Sequence, residues 1–547
     1  MIGQKKVCVV VPSYNAPRTP QQRTLVDKQR ALDLAWHVSF TILVLALVLF
    51  GLQYERNKLF GDSDFFEHAA VVRALIQDPW HPQHPLLAVD APHAFFSPYA
   101  LVLALVARAV GANAVSTLVA AGVVNMIVFA TGLRQFVRAC TSTESAPAAA
   151  TLALVFCVLL WGRDPWGWSG FFNLGALATV QPYPSTFAAG LTLWALAVAM
   201  HITPERRRGL AFVAVVSALL WVTHPTTAVV LVTGLAAVFV ARAPRTPRVF
   251  LVEAGIWAGA GALAFSVATR WPYFPLLSLA TDSNSAEFDR AAGFLYHGFF
   301  VRTWPALLIG VPVFGLAAVR SFRPSAWTTG ERGRDVVVWL VVFFAALYVG
   351  GFVTGHLALG RDVSWLVLSL QIGAALLIAD ALGSAGEHTT MTWHTIAAAS
   401  AVMLVLVAIV VRSAFHGGFV RTQSGTSRLA GNILRNVVGG DDVVLSDLNT
   451  SFMLPAVTGK IVASPHPLYW VPDHDARRHE LDVFFRPGTS DDERRAILRR
   501  RDARFILIDT TLIKNDDVQK QIRALGEVEK DDGRYVLVRV ATDEPPR

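Results

Sequence analysis

Charge is scarce in this chain of 547 residues. Only 16% of them are Asp, Glu, Lys or Arg, against about 25% in soluble globular domains. Cysteine is scarcer still. The three are Cys8, Cys140 and Cys157, so the polar region at the C-terminal end has no disulfide framework and no Cys-based zinc site. His68, His81, His84 and His93 fall into no compact pattern such as H-E-x-x-H. No glycine-rich phosphate loop opens a helix, no internal repeat appears, and no basic stripe interleaves with aromatics as a nucleic-acid site would require. What the chain has is oil. Its apolar fraction is 53% and its mean hydropathy +0.45. That composition excludes disordered, collagen-like and disulfide-stapled chains, and a string of soluble domains. It points to an α-helical protein that crosses a membrane many times.

Apolar runs lie at about 34–53, 114–133, 146–161, 186–202, 209–223, 226–241, 249–269, 303–319, 336–353, 363–382 and 394–412. A span needs about 20 apolar residues. A further short run, 95–110, is decided by charge, because Lys and Arg collect in cytoplasmic loops. The N-terminal tail carries Lys5, Lys6, Arg18, Arg23, Lys28 and Arg30 and is placed in the cytoplasm. With 95–110 kept on the outer side, Arg134 and Arg138, Arg206 to Arg208, Arg242, Arg245 and Arg248, and Arg320, Arg323, Arg332 and Arg334 all fall inside. If 95–110 crosses, every cluster moves outside. The sequence therefore predicts about eleven spans in the inner membrane of a bacterium. Residues 1–33 form a cytoplasmic tail, 34–412 the membrane domain, and 413–547 a periplasmic domain. The first span is expected to act as an uncleaved signal-anchor. The long external loops are 54–113 and 270–302.

The last region is electrically balanced, with 20 basic and 20 acidic side chains in 413–547, so the whole surplus of +8 lies in the membrane part. DVVLS (442–446), GKIVAS (459–464), FILID (505–509) and YVLVRV (535–540) read as strands. DDERRAILRRR (491–501) and a stretch near 516–525 read as helices. A small α/β domain follows. At the other end, VCVVVPSYN (7–15) looks like the opening strand of a soluble family-2 glycosyltransferase. A membrane span begins about 20 residues later, which leaves no room for that fold.

The first external loop carries an ordered series. Asp62, Asp64 and Glu67 stand just beyond the first span, where carboxylates are costly unless solvated, paired or functional. Residues 63–77 have helical character, which puts Asp64 and His68 on one face. A-x-x-x-R-A-L, W-H-P and S-P-Y follow, the last leading the apolar stretch 95–110. This series resembles the GT-C superfamily of membrane glycosyltransferases, which includes the protein O-mannosyltransferases and the aminoarabinose and arabinofuranosyl transferases. Loop order, span order and an external C-terminal domain extend the resemblance over most of the chain. Phe65 follows Asp64, so the familiar Asp-Glu pair is absent and Asp62 is the candidate second carboxylate. His68 stands where a Tyr is common, and Ser97-Pro98-Tyr99 where Pro-Pro-Leu is common.

The resemblance implies an enzyme that takes a sugar from a polyprenyl-phosphate donor and passes it to a glycan, lipid or protein acceptor at the outer face, among membrane lipid and without nucleic acid. Such a reaction needs a carboxylate to accept the acceptor's proton and a cation to hold the leaving phosphate. Asp64 is the candidate base, with Asp62 and Glu67 beside it. Arg361, in GRDVSW at the outer mouth of the tenth span, is the candidate phosphate ligand. His224 in the turn WVTHPTT, His68 and Arg302 are further substrate-binding candidates. The tryptophans of WGRDPWGWSGFFN (161–173) suit interfacial anchoring. No cofactor is required; a divalent metal, if one is used, would sit at Asp62 and Asp64. A transporter or flippase of a lipid-linked glycan would show repeats and midplane charges, and neither is found. The alternatives are that transporter or flippase and a non-catalytic scaffold in an envelope-glycan complex.

Overall fold

The computed structural model describes residues 20–57, 64–141, 145–203, 207–242, 246–321, 329–385, 433–434 and 436–541. The run 394–412, the candidate Asp62, the stretch 7–15 and the start of the C-terminal region lie outside these residues. Helices dominate. They are α1 (Pro20–Asn57), α2 (Phe65–Gln77), α3 (Pro98–Val110), α4 (Ala114–Cys140), α5 (Ala146–Leu159), α6 (Leu174–Val180), α7 (Pro184–Ala199), α8 (Arg208–Thr223), α9 (Pro225–Ala241), α10 (Pro247–Ala268), α11 (Ser285–Ala291), α12 (Phe299–Ser321), α13 (Thr329–Thr354) and α14 (Val363–Ala385). Each of the ten apolar runs before residue 394 coincides with one of them. Among the described residues, five are long and apolar enough to cross a membrane: α1, α4, α10, α13 and α14, the last with the turn before it. The others are shorter apolar helices. At 13 residues α3 is about 20 Å long, short of the ~30 Å hydrocarbon layer.

Helix ends are written in the sequence. Ser97 accepts a hydrogen bond from the Ala100 N–H with Pro98 in the first turn of α3, and Gly111 ends that helix at φ 68°. Asn113 and Asn173 cap α4 and α6 in the same way. The membrane core joins α1, α4, α5, α7, α8, α9, α13 and α14, and much of it is alanine and other small residues. Small residues let helices approach closely where lipid supplies no hydrophobic drive. A close backbone approach joins α4 to α7: a Cβ on Gly132 would lie 2.4 Å from the Gly190 carbonyl oxygen, and one on Gly190 2.6 Å from the Phe129 nitrogen.

The C-terminal region forms a five-stranded sheet from β1 (Val443–Leu445), β2 (Lys460–Ile461), β3 (Ala503–Asp509), β4 (Gly526–Asp531) and β5 (Tyr535–Val540), in the order β2-β1-β3-β5-β4. β1 pairs parallel with β2 and β3, and β5 pairs antiparallel with β3 and β4. The sequence pattern anticipated four of these strands and missed β4, whose residues GEVEKD are polar and mostly exposed. It also missed the helix α17 (His474–Phe484), which follows the short helices α15 (Leu448–Ser451) and α16 (Leu454–Val457) and precedes α18 (Asp491–Arg500) and α19 (Asp516–Arg523).

Both faces of the sheet are covered, which explains why β3 and β5 read as continuous apolar runs. Ile506 and Ile508 of β3 pack with Leu481, Ile497 and Ile522 of the helices. Phe505 and Leu507, pointing the other way, pack in one cluster with Ala70 of α2 and with Leu86 and Leu87. The first external loop is thus part of this domain's core. Leu87 bridges Ile461 in parallel, and the Ile461 N–H donates to the Leu86 carbonyl at 2.8 Å. The Arg73 guanidinium donates to the Gly459 carbonyl at 2.9 Å, and buried Lys460 donates to the His84 carbonyl at 2.6 Å.

Candidate active site

Where the membrane helices, the two long loops and the C-terminal domain meet, they enclose a cavity of about 760 Å³. Asp64, Glu67 and His68 line it from α2 and its start, Trp168 from the loop before α6, His224 from the turn between α8 and α9, Arg361 from the turn before α14, and His466 and Tyr469 from the C-terminal domain. Five of the seven sequence candidates therefore share one space. Asp62 lies outside the described residues. Arg302 is not among the lining residues: its guanidinium donates to the Asp164 carbonyl and lies over the Trp166 ring at 5.3 Å.

Asp64 stands at the N-cap of α2, and its side chain makes no capping hydrogen bond. The carboxylate is left for the cavity, with a third of the side chain exposed and the His466 ring 3.5 Å away. Burial and, next, the Glu67 charge raise its pKa above the usual aspartate range, while His466 and Arg361 pull it back. Glu67, one turn on, is buried. Burial would raise its pKa too, but the His93 hydrogen bond and charge outweigh that, and the net direction is down. The contact is 3.2 Å from His93 Nε2 to Glu67 Oε1. His93 Nδ1 accepts from the Phe95 N–H at 3.3 Å, so the neutral ring carries its proton on Nε2 and donates to Glu67. Two neighbouring carboxylates thus have environments that push them apart, the arrangement that separates a titrating base from a fixed charge.

The two candidate histidines are neutral at pH 7. His68 stacks on Phe95 at 4.6 Å, and burial holds its pKa down at about 4. His224 caps α9. Its Nδ1 accepts from Thr227 Oγ1 at 2.8 Å, Thr226 Oγ1 at 3.0 Å and the Thr227 N–H at 3.3 Å. Burial, followed by the Arg361 charge, lowers its pKa to about 3. The tautomer is then Nε2–H, a donor on a residue lining the cavity. This turn is more than a solvated hairpin.

Arg361 lies on a 3-10 turn, Leu357–Asp362. Its guanidinium sits 4.4 Å over the Trp168 ring, and its Nε is buried without a hydrogen bond. The turn is held by Asp289 of α11, whose carboxylate accepts from the Leu357 and Ala358 N–H groups at 3.1 and 2.8 Å. Trp168 is therefore a platform for the cation as well as an aromatic at the membrane edge.

Sequence reasoning missed the C-terminal contribution, the loop SPHPLYW (464–470). It is held against loop 270–302 by Asn284 donating to the Leu468 carbonyl at 2.6 Å, the Trp470 N–H donating to Asp282 at 3.0 Å and Phe288 stacking on Tyr469 at 4.3 Å. The available signal was a His between prolines beside two aromatics, on the side of the membrane assigned to the loops.

No protein-family model matches the chain, and no curated protein matches it. Among solved structures, the oligosaccharyltransferase AglB of Archaeoglobus fulgidus, in complex with an inhibitory peptide and a dolichol-phosphate, is similar over 93% of this chain and 75% of its own, with a TM-score of 0.48 and 10% identity. An Archaeoglobus fulgidus oligosaccharyltransferase complexed with Zn and sulfate is similar over 90% of this chain and 73% of its own, with a TM-score of 0.45 and 10% identity.

Proposed function

We propose that this protein is a GT-C-type glycosyltransferase that moves a sugar from a polyprenyl-phosphate donor to a glycan, lipid or protein acceptor at the outer face of a bacterial inner membrane. Asp64 is the general base and Arg361 the phosphate ligand. The observation that carries this reading is their meeting in one cavity, close enough for the Arg361 charge to act on the Asp64 carboxylate. The acceptor hydroxyl enters beside Asp64 and gives up its proton as its oxygen attacks the anomeric carbon. The bond from that carbon to the donor phosphate breaks, and the phosphate keeps the electron pair against Arg361. His224 donates from Nε2 to the phosphate or a sugar hydroxyl, and Trp168 and Phe95 offer faces to apolar sugar and lipid surfaces. Glu67 tunes Asp64 rather than replacing it. In this reading the chain crosses the membrane about eleven times, residues 413–547 lie in the periplasm, as the arginine pattern of the loops supports, and the cavity opens at the level of a lipid-linked phosphate. Lipid extracts of a deletion strain and its parent test this. A polyprenyl-phosphate sugar accumulating beside a truncated envelope glycan or an unmodified acceptor is expected. Identical lipid and glycan profiles would overturn the proposal.

A further inference from the structure

A second cluster of ligating groups lies at the seam between loop 270–302 and the C-terminal domain. Glu287 of α11 and His474 and Asp475 at the start of α17 bring one ligating atom each to within 4.8 Å of one another. A carboxylate pair on a surface would carry no meaning alone. His474 gives it one. That side chain is 1% exposed, and both of its ring nitrogens are buried without a hydrogen bond. A buried imidazole with two idle nitrogens gives up its hydrogen bonds to water without replacing them, and native structures rarely leave such a group without a partner.

We propose that Glu287, His474 and Asp475 bind a divalent metal ion of the zinc type, which ties α11 to α17. One nitrogen and two carboxylate oxygens are ligands that Zn²⁺ accepts at about 2.0–2.2 Å in a tetrahedron whose fourth corner is water. Such ligands stand about 3.3 Å apart, so atoms that now lie within 4.8 Å of one another close by up to about 1.5 Å as the ion enters. The Glu287 and Asp475 carboxylates neutralise the ion. Arg478, now 3.6 Å from Glu287, is the competing cation; its side chain is a third exposed and turns to water. The site's ligands are not among the residues lining the cavity. Its place in the fold still bears on the cavity. Phe288, next to Glu287, stacks on Tyr469, and both line the wall. An ion here fastens the clamp that this pair forms, which spares the loop the ordering entropy it would otherwise lose on binding substrate.

The experiment loads the purified full chain in detergent with ZnCl₂ after chelator treatment, removes free metal by gel filtration, and measures zinc by mass spectrometry. One ion per chain is expected in the parent and in Asp64→Asn. Glu287→Gln and Asp475→Asn, which alter partly or fully exposed side chains and need not disturb the core, should weaken Zn²⁺ binding by about a hundredfold or more, since each removes one of three protein ligands. His474→Ala should bind none. Added Zn²⁺ should slow protease cutting within 270–302 in the parent only. Absence of retained zinc in the parent, equal zinc in the Glu287 and Asp475 variants, or zinc lost on changing Asp64 would each overturn the proposal.

Discussion

At the residue scale the decisive contrast is between two carboxylates three positions apart. Glu67 is held ionised in place by the hydrogen bond from His93, whereas Asp64 has a raised pKa and a partly open face. A base must be ionised to work, so transfer is expected to fall as the pH drops through the raised Asp64 pKa, at a higher pH than a free aspartate would give. Asp64→Asn keeps the shape and loses proton affinity; turnover should fall about 10²–10⁴-fold with membrane yield unchanged. Turnover within a few-fold of the parent would assign the base elsewhere. Arg361 makes a parallel case. Lys keeps the charge without the planar fork, so Arg361→Lys should recover only part of the roughly ten- to hundredfold donor affinity that Arg361→Ala removes; unchanged turnover per folded molecule in the Ala variant would retire the residue. Glu67 predicts stability rather than rate. Its depressed pKa stabilises the fold above the carboxylate's unfolded pKa, and that stability is lost as pH falls through the folded value. His93→Ala strands the carboxylate in a buried site at a cost of about 1–3 kcal/mol or more, and a thermal shift that shrinks at acid pH, where Glu67 is protonated, would identify the cause. Residue types and loop order made Asp64, Glu67, His68, His224 and Arg361 legible as candidates. The His93 and His466 partnerships were not legible, because nothing in spacing reports a contact between residues 64 and 466.

Among elements, helices were far easier to read than their company. Apolar runs mark the start of α4 and both ends of α9 to within a residue, while α4 continues past the run's end at 133 to Cys140. The polar edge strand β4 shows no alternation that a pattern could detect, and α17, HDARRHELDVF, buries Leu481 and Phe484 under a mostly charged surface. Pairing between helices is not written in hydropathy at all, since lipid-facing and core-facing positions are equally apolar. The α4–α7 contact shows what replaces it. Gly190 lies against the backbone of α4, where a methyl group would sit 2.6–2.8 Å from main-chain atoms of Val128 and Phe129. Backbone cannot swing aside as a side-chain tip can. Gly190→Ala is therefore expected to lower the melting temperature of the detergent-purified protein, by the 1–3 kcal/mol typical of overpacking, whereas Gly255→Ala on α10, with nothing within 4 Å of the added carbon, should leave it unchanged or higher. Equal melting of the two variants would mean that this helix pair is not packed as described.

For the whole molecule the question is which way it faces, because the proposed chemistry works only if the cavity opens on the donor's side. The fold makes that one question. Loop 54–113 shares a hydrophobic core with the C-terminal sheet through Ala70, Leu86 and Leu87, and loop 270–302 is hydrogen-bonded to segment 464–470. Both loops and the sheet domain must then lie on the same side, and the arginine pattern of the remaining loops assigns that side to the periplasm. Cysteine chemistry can test it with little background. Cys140 and Cys157 are buried, and Cys8 belongs to the tail assigned to the cytoplasm. Asp517, on α19 with its side chain 87% exposed, is a position where a cysteine should react without disturbing the fold. In intact cells with a permeabilised outer membrane, a membrane-impermeant maleimide is expected to label Asp517→Cys fully and the parent hardly at all. Bursting the cells should add label at Cys8 alone. If Asp517→Cys reacts only after lysis, the domain is cytoplasmic, Arg361 and Asp64 open inward with it, and a donor presented at the outer leaflet could not reach them. Such a result would remove the proposed reaction and leave the fold intact.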